Sequence, residues 1–122
     1  ERAGHLLSKG RVLGAQMCAW LEGQHWLDLA RTSNERAEQL AKGVRASANA
    51  ELVWPVDGNE LFALIKHSRI KALRSKGAIF YEWPERFLGS SKHIADDESL
   101  VRLVVSFNTS EREVRDFIRL LG

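Results

Sequence analysis

Apolar residues recur along the chain with two different periods, and the change from one to the other falls near residue 50. Up to about residue 22, Leu6, Leu13, Met17, Trp20 and Leu21 follow at spacings of three, four and seven, which predicts a helix. Its other side is made of small residues, Gly10, Gly14, Ala15, Cys18 and Ala19. Glycine inside a helix costs about 1 kcal/mol relative to alanine, so either a backbone, subunit or ligand approaches here or this segment is poorly ordered. Gly23 breaks or bends the run. A second helix is predicted over residues 24–46, with Trp26, Ala30, Ser33, Ala37, Leu40 and Val44 as its buried stripe. Arg31, Glu35, Arg36, Glu38 and Lys42 lie outside it, Glu38 and Lys42 in the favourable i,i+4 order.

From residue 52 the pattern turns to short extended runs. Residues 52–54 form one, ended by Pro55; Asp57 and Gly58 supply a turn, and residues 59–65 return as a strand. A short helix over 68–75 directs Ile70 and Leu73 inward and stops at Gly77. The next strand covers 78–83 and is closed by Pro84. Residues 85–98 are polar, contain Gly89, Ser90 and Ser91, and read as a long mobile loop. Residues 101–107 alternate: Val101, Leu103, Val105 and Phe107 point one way, Arg102, Val104 and Ser106 the other. Ser110 and Glu113 make a capping box that opens a last helix, with Val114, Phe117, Ile118 and Leu121 toward the core. Two helices followed by β-β-α-β-β-α predict an α/β (α+β) fold, a small and mainly antiparallel sheet covered by helices on one side. The helical segment 1–46 and the sandwich 51–122 belong to one domain.

Composition narrows the function classes. With 122 residues, 44% hydrophobic and 28% charged, the chain fits one soluble globular core. The net charge of +2 is small and the basic residues are interleaved with acids, which argues against a nucleic-acid surface. One cysteine, Cys18, gives neither a disulfide framework nor a metal cluster and predicts a reducing, cytoplasmic compartment. His5, His25, His67 and His93 have no ligand spacing, so no metal site is expected. No apolar run approaches the ~18 residues of a membrane span. The chain opens on Glu1 within what already reads as helix, which predicts a piece of a longer polypeptide.

Arg102 is the candidate for chemistry. A mid-strand guanidinium flanked on its own face by Val104 and Ser106 is poorly solvated and needs an anion, either a ligand carboxylate or phosphate or an acidic side chain of the same chain. Four tracts then resemble one family. They are residues 2–11 (Arg-Ala-Gly-His-Leu-Leu-Ser-Lys-Gly-Arg) with Ala15 and Gln16, residues 54–60 (Trp-Pro-Val-Asp-Gly-Asn-Glu), residues 77–83 (Gly-Ala-Ile-Phe-Tyr-Glu-Trp) and residues 101–107 (Val-Arg-Leu-Val-Val-Ser-Phe). Together they are similar to the C-terminal part of the L-threonine aldolases, β-eliminating-lyase enzymes that use pyridoxal phosphate (PLP).

The resemblance implies the small C-terminal domain of a fold-type I PLP enzyme that follows a large cofactor-binding domain. It implies cleavage of β-hydroxy-α-amino acids to glycine and an aldehyde, and assembly into dimers or tetramers. By the resemblance Arg102 binds the substrate α-carboxylate, for which a guanidinium fork is suited. Arg11 matches a family arginine near the cofactor region, as a phosphate or interface contact or a plain surface residue. The Schiff-base lysine, the acid at the pyridine nitrogen and the ring against the cofactor belong to the large domain. Lys9 therefore reads as surface, Tyr81 as core or interface, no catalytic residue is expected here, and the chain alone is expected to be inactive. Family strands commonly continue Arg-Leu-Val-Thr, whereas Val105 and Ser106 follow here. The alternative is a noncatalytic interaction or oligomerisation domain. It would use Leu13, Gly14, Met17 and Trp20 on the first helix, with Arg102 as a buried ion-pair partner.

Overall fold

The computed structural model describes residues 10–88 and 93–122. The alternation read from the second half of the chain is realised as four strands: β1 (Ala50–Leu52), β2 (Glu60–Lys66), β3 (Tyr81–Glu82) and β4 (Glu98–Val104). They form one antiparallel sheet in the order β1-β2-β4-β3. The helices are α1 (Gly10–Leu21), α2 (His25–Ala46), α3 (His67–Ser75) and α4 (Glu111–Leu121). From β1 onward the order is β-β-α-β-β-α, as the pattern predicts, and the mixed fold with helices over an open antiparallel sheet follows.

Period two divides the sheet into two faces. Leu61, Ala63 and Ile65 of β2 and Val101 and Leu103 of β4 lie on one face, opposed in register as Leu61↔Leu103 and Ala63↔Val101. Val105 continues that face, and the main core forms where it meets Ala37, Leu40, Ala41 and Val44 of α2, Ile70 and Leu73 of α3, and Val114 and Leu121 of α4. Burying such a side chain fully is worth about 1.5–3 kcal/mol relative to exposure, so this layer dominates the stability. The α2–α4 approach is close: a Cβ at Gly43 would fall 2.8 Å from Ile118 Cγ2. The Ser110 hydroxyl accepts from the Glu113 N–H at 3.2 Å, and the Glu113 carboxylate accepts from the Ser110 N–H at 2.7 Å, which starts α4. Its end is tied down by Ser47 Oγ donating to the Gly122 carbonyl at 2.7 Å and Asn49 Nδ2 donating to the Leu121 carbonyl at 3.1 Å.

The other face carries Phe62, Leu64 and Leu100, packed with Leu88, Val53, Trp83 and Ile94 into a smaller cluster to which no α-helix contributes among the described residues. Arg102 belongs to this face.

Several boundaries differ from expectation. β4 ends at Val104, and Phe107 is 48% exposed instead of inward. After Val105 the backbone is captured by local side chains: Thr109 Oγ1 accepts from the Ser106 N–H at 3.1 Å and Ser106 Oγ from the Asn108 N–H at 3.2 Å. Such bonds favour a turn over a ladder. The strand expected over 78–83 is paired only at Tyr81–Glu82, because the chain leaves α3 through Gly77 at φ +90° and the Ala78 N–H remains bonded to the Leu73 carbonyl at 3.1 Å. The first extended run is Ala50–Leu52, not 52–54. On α2, burial begins at Ser33, so Ala30 is exposed and Trp26 only half-buried. Glu38 pairs with Arg45 at 3.2 Å, not with Lys42.

In the 85–98 stretch, Glu85–Phe87 is a 3-10 turn and Leu88 is buried, while the Gly89, Ser90 and Ser91 tract lies outside the described residues. So do His5, Leu6, Lys9 and the rest of the predicted first helix before Gly10.

α1 buries nothing, and Leu13, Met17 and Trp20 are each about half exposed. Nothing stands within 4 Å of a Cβ built at Gly10 or Gly14. The bend at Gly23 is real, with φ +64°, and continues into Gln24 at φ +61°. Among the described residues no helix is long and apolar enough to cross a membrane.

Candidate functional site

Arg102 stands in the middle of the sheet's second face because the register places it opposite Phe62 of β2 and Tyr81 of β3. Its neighbours come from the two flanking strands. Trp83 lies beyond the end of β3, but its N–H still donates to the Leu100 carbonyl at 2.7 Å. One more rung of pairing thus puts the indole on Arg102's face. The guanidinium carbon lies 4.7 Å from the centroid of the Trp83 ring, well within cation–π range. The indole is held in turn by Phe62 at 5.6 Å and Phe87 at 5.7 Å, and Phe62 by Trp54 at 4.9 Å. A row of four aromatic rings therefore runs across the open face.

The charge of Arg102 is only loosely answered. Its side chain is 29% exposed, and among the described residues its carboxylate partner, Oε1 of Glu60, is 4.0 Å from Nη1. A direct charge-assisted hydrogen bond measures about 2.7–2.9 Å, so this is a long ion pair and not a fork. Nε is buried and has no acceptor. The arginine is thus oriented by an aromatic surface while its hydrogen-bonding capacity is largely unspent, a combination suited to a planar anion arriving from the open side. Of the two anion sources expected for this residue, the same-chain carboxylate is present but distant.

The other expected site residue is elsewhere. Arg11 is exposed on α1, which meets α2 near the bend, where Trp20 lies 5.8 Å from Trp26, whereas Arg102 is on the sheet face turned away from α2. The described chain does not bring them together. Tyr81 is 68% exposed beside Arg102, so of the core and interface roles expected for it the core one is excluded. Trp83 and Glu60 are the residues that sequence reading missed. The period of two in 78–83 puts Tyr81 and Trp83 on one face, and Glu60 shares parity with Phe62, but only the strand order brings both to Arg102.

A second polar cluster lies across the helix-side edge. His67 Nε2 meets Ser99 Oγ at 3.0 Å, Ser99 Oγ donates to Glu82 Oε2 at 3.3 Å, and Glu82 Oε1 pairs with Arg74 at 2.9 Å. The cluster links His67 and Arg74 of α3 to β3 and β4 and so fastens the helix to the sheet. Among the described residues no group of three or more His, Cys, Asp or Glu side chains could hold a metal ion.

No family model matches the chain. It is 34% identical over 116 residues to a low-specificity L-threonine aldolase of a Pseudomonas species and 32% identical over 119 residues to one of Pseudomonas aeruginosa. These alignments take in 95% and 98% of this chain, but the chain spans only 30% and 31% of those relatives' lengths. Among solved structures, a threonine aldolase of Leishmania major superposes with a TM-score of 0.58 at 27% identity, over 73% of this chain and 23% of that one. A NifS-like protein superposes with a TM-score of 0.60 at 18% identity, over 75% of this chain and 26% of that one, and shares the fold. By sequence likeness over nearly its whole length, the chain is a homologue of one part of the low-specificity L-threonine aldolases, and its fold matches the small domain of fold-type I PLP enzymes.

Proposed function

We propose that this chain is the carboxylate-binding small domain of a PLP-dependent aldolase that cleaves β-hydroxy-α-amino acids of the L-threonine type to glycine and an aldehyde. The observation that carries the reading is Arg102: held on an indole, partly exposed and, among the described residues, without a close anion of its own.

The described residues do not themselves form a cofactor site. On Arg102's face of the sheet the lysine is Lys66, opposite Glu98 at the far end of β2. That is four residues from Phe62, roughly 13 Å at the rise of a strand. The other described lysines, Lys42, Lys71 and Lys76, are on or just after α2 and α3. Arg11 would serve a cofactor phosphate only if another domain were laid against α1. PLP, held by a large domain as the length of the relatives allows, supplies the electron sink for carbon–carbon cleavage.

What this chain adds is binding and orientation. Two parallel N–H···O bonds from Arg102 to the α-carboxylate fix the substrate's rotation about Cα, and hence which bond at Cα is aligned for cleavage. The substrate and the large domain are the partners in this reading, with assembly as a dimer or tetramer. The chain alone binds but does not catalyse.

In the full-length protein carrying this domain, Arg102→Ala raises KM steeply and weakens glycine binding by about 1.5–3 kcal/mol, the range for hydrogen bonds to charged groups. Unchanged glycine affinity in that variant refutes the assignment.

The exposed apolar side of α1, with Leu13, Met17 and Trp20, favours a second reading as an interaction or oligomerisation domain. The two readings coexist, since a large domain or a second subunit would cover the same helix. They separate at Arg102, because only the aldolase reading gives it an amino-acid carboxylate.

A further inference from the structure

The surroundings of Arg102 contain more than is needed to keep a charge in place. A structural arginine on a half-covered sheet face is ordinarily answered by a carboxylate in direct contact. Here the close partner is an aromatic ring at 4.7 Å, and the carboxylate, Glu60, is set back at 4.0 Å on a side chain that is itself 45% exposed. Trp83 is not free to move. Phe62 meets it edge-on at an interplanar angle of 71°, Phe87 packs against it at 5.7 Å, and its backbone is hydrogen-bonded to Leu100.

We infer that Trp83 is a positioning residue for the carboxylate of an amino-acid ligand, acting through Arg102. Its indole holds the guanidinium plane in the orientation that a planar anion requires, and Glu60 is the loose counter-anion that the ligand's carboxylate replaces. The inference rests on the reading of Arg102 as the carboxylate anchor and adds the residue that gives the anchor its direction.

The physical reason is pre-organisation. An arginine side chain has many rotamers, and freezing them on ligand arrival would subtract from affinity. A ring face restrains the guanidinium without taking up its N–H donors, whereas a close Asp or Glu would occupy the same fork the ligand must use. The buried, acceptor-free Nε fits this account. Among the described residues, Nη1 meets only the Glu60 carboxylate 4.0 Å away, which leaves it for recognition.

The test is a double-mutant cycle read on glycine affinity, KM and kcat in the full-length protein, joined to NMR of the 122-residue chain. Trp83→Leu removes the ring and keeps an apolar side chain; Trp83→Phe keeps a smaller ring. Trp83→Leu is expected to weaken glycine binding roughly five- to thirty-fold, the equivalent of a partly desolvated cation–π contact. The loss should fall on KM with kcat little changed, and Trp83→Phe should recover most of it. In the Arg102→Ala background Trp83→Leu should have no further effect on glycine.

In the chain itself, the Arg102 guanidinium resonances should lose their ring-current shift in Trp83→Leu. A normal glycine affinity in Trp83→Leu, with Arg102→Ala impaired, overturns the positioning role and leaves the carboxylate reading standing. An equal loss in both backgrounds also overturns it, since it would mark a general packing role. Unchanged binding in Arg102→Ala overturns the reading beneath it.

Discussion

Replacing Gly43 by alanine sets two effects of opposite sign against each other, and the structure states which one wins. Gly43 lies inside α2, where alanine is intrinsically better by about 1 kcal/mol. A Cβ at that position, however, would lie 2.8 Å from Ile118 Cγ2, 2.5 Å from Cδ1 and closer still to Cγ1. Both γ carbons are bonded directly to the Ile118 Cβ, so rotation about χ1 exchanges one clash for another. Relief requires α4 to move. That helix is anchored at its start by the Ser110–Glu113 box and at its end by Ser47 and Asn49.

Overpacking of a fitted interface costs about 1–3 kcal/mol and can exceed this range. With three carbons inside contact distance the upper part applies, for a net loss near 2 kcal/mol after the helix-propensity gain. For a domain of this length that corresponds to a fall in melting temperature of about 8 °C.

Thermal or urea unfolding of four proteins decides the matter: wild type, Gly43→Ala, Ile118→Ala and the double variant. Ile118→Ala loses stability by itself, because Ile118 packs against the core. In that background the added methyl meets nothing from residue 118, and Gly43→Ala becomes neutral or stabilising by up to ~1 kcal/mol. The sign reversal is the diagnostic result. A Gly43→Ala protein as stable as wild type, with no reversal, would refute the reasoning about the α2–α4 contact.

Other expectations concern charge and surface. The Glu113 carboxyl is held below the usual glutamate range, chiefly by the Ser110 hydroxyl and then by the Ser110 N–H. A group with a depressed folded pKa stabilises above its unfolded value and loses that contribution as pH falls through the folded one. Ser110→Ala should therefore cost stability near neutral pH and flatten the acid limb of a pH-stability curve; an identical acid slope in the two proteins would count against the capping box as its source. The 122-residue chain should self-associate through the exposed face of α1, with Met17→Glu reducing the effect. Sedimentation showing a monomer at every concentration would contradict this.

Much of the fold was written locally. The order of elements after residue 50 followed from alternation and turn residues, the start of α4 from Ser110 and Glu113, and the end of α3 from Gly77. Each of these depends on interactions within a few residues, which a sequence carries directly. Where local bonds competed with pairing, the sequence misled. Phe107 continued the period of two, yet Ser106 and Thr109 side chains bent the backbone away before it could be buried. Ala30 continued the stripe of α2, but burial begins only at Ser33.

The candidate site divides in the same way. Arg102 was legible alone, because a mid-strand guanidinium must find an anion and the alternation assigned its face. What stands around it was not legible. Trp83 is 19 residues upstream and Glu60 is 42 upstream; they meet Arg102 only because β4 lies between β2 and β3 in the sheet. Strand order is a global choice, made by the burial of Leu61, Ala63, Val101 and Leu103 under three helices at once. The amino-acid sequence determined which residue carries the charge. The tertiary structure decided that an indole, and not a close carboxylate, would hold it.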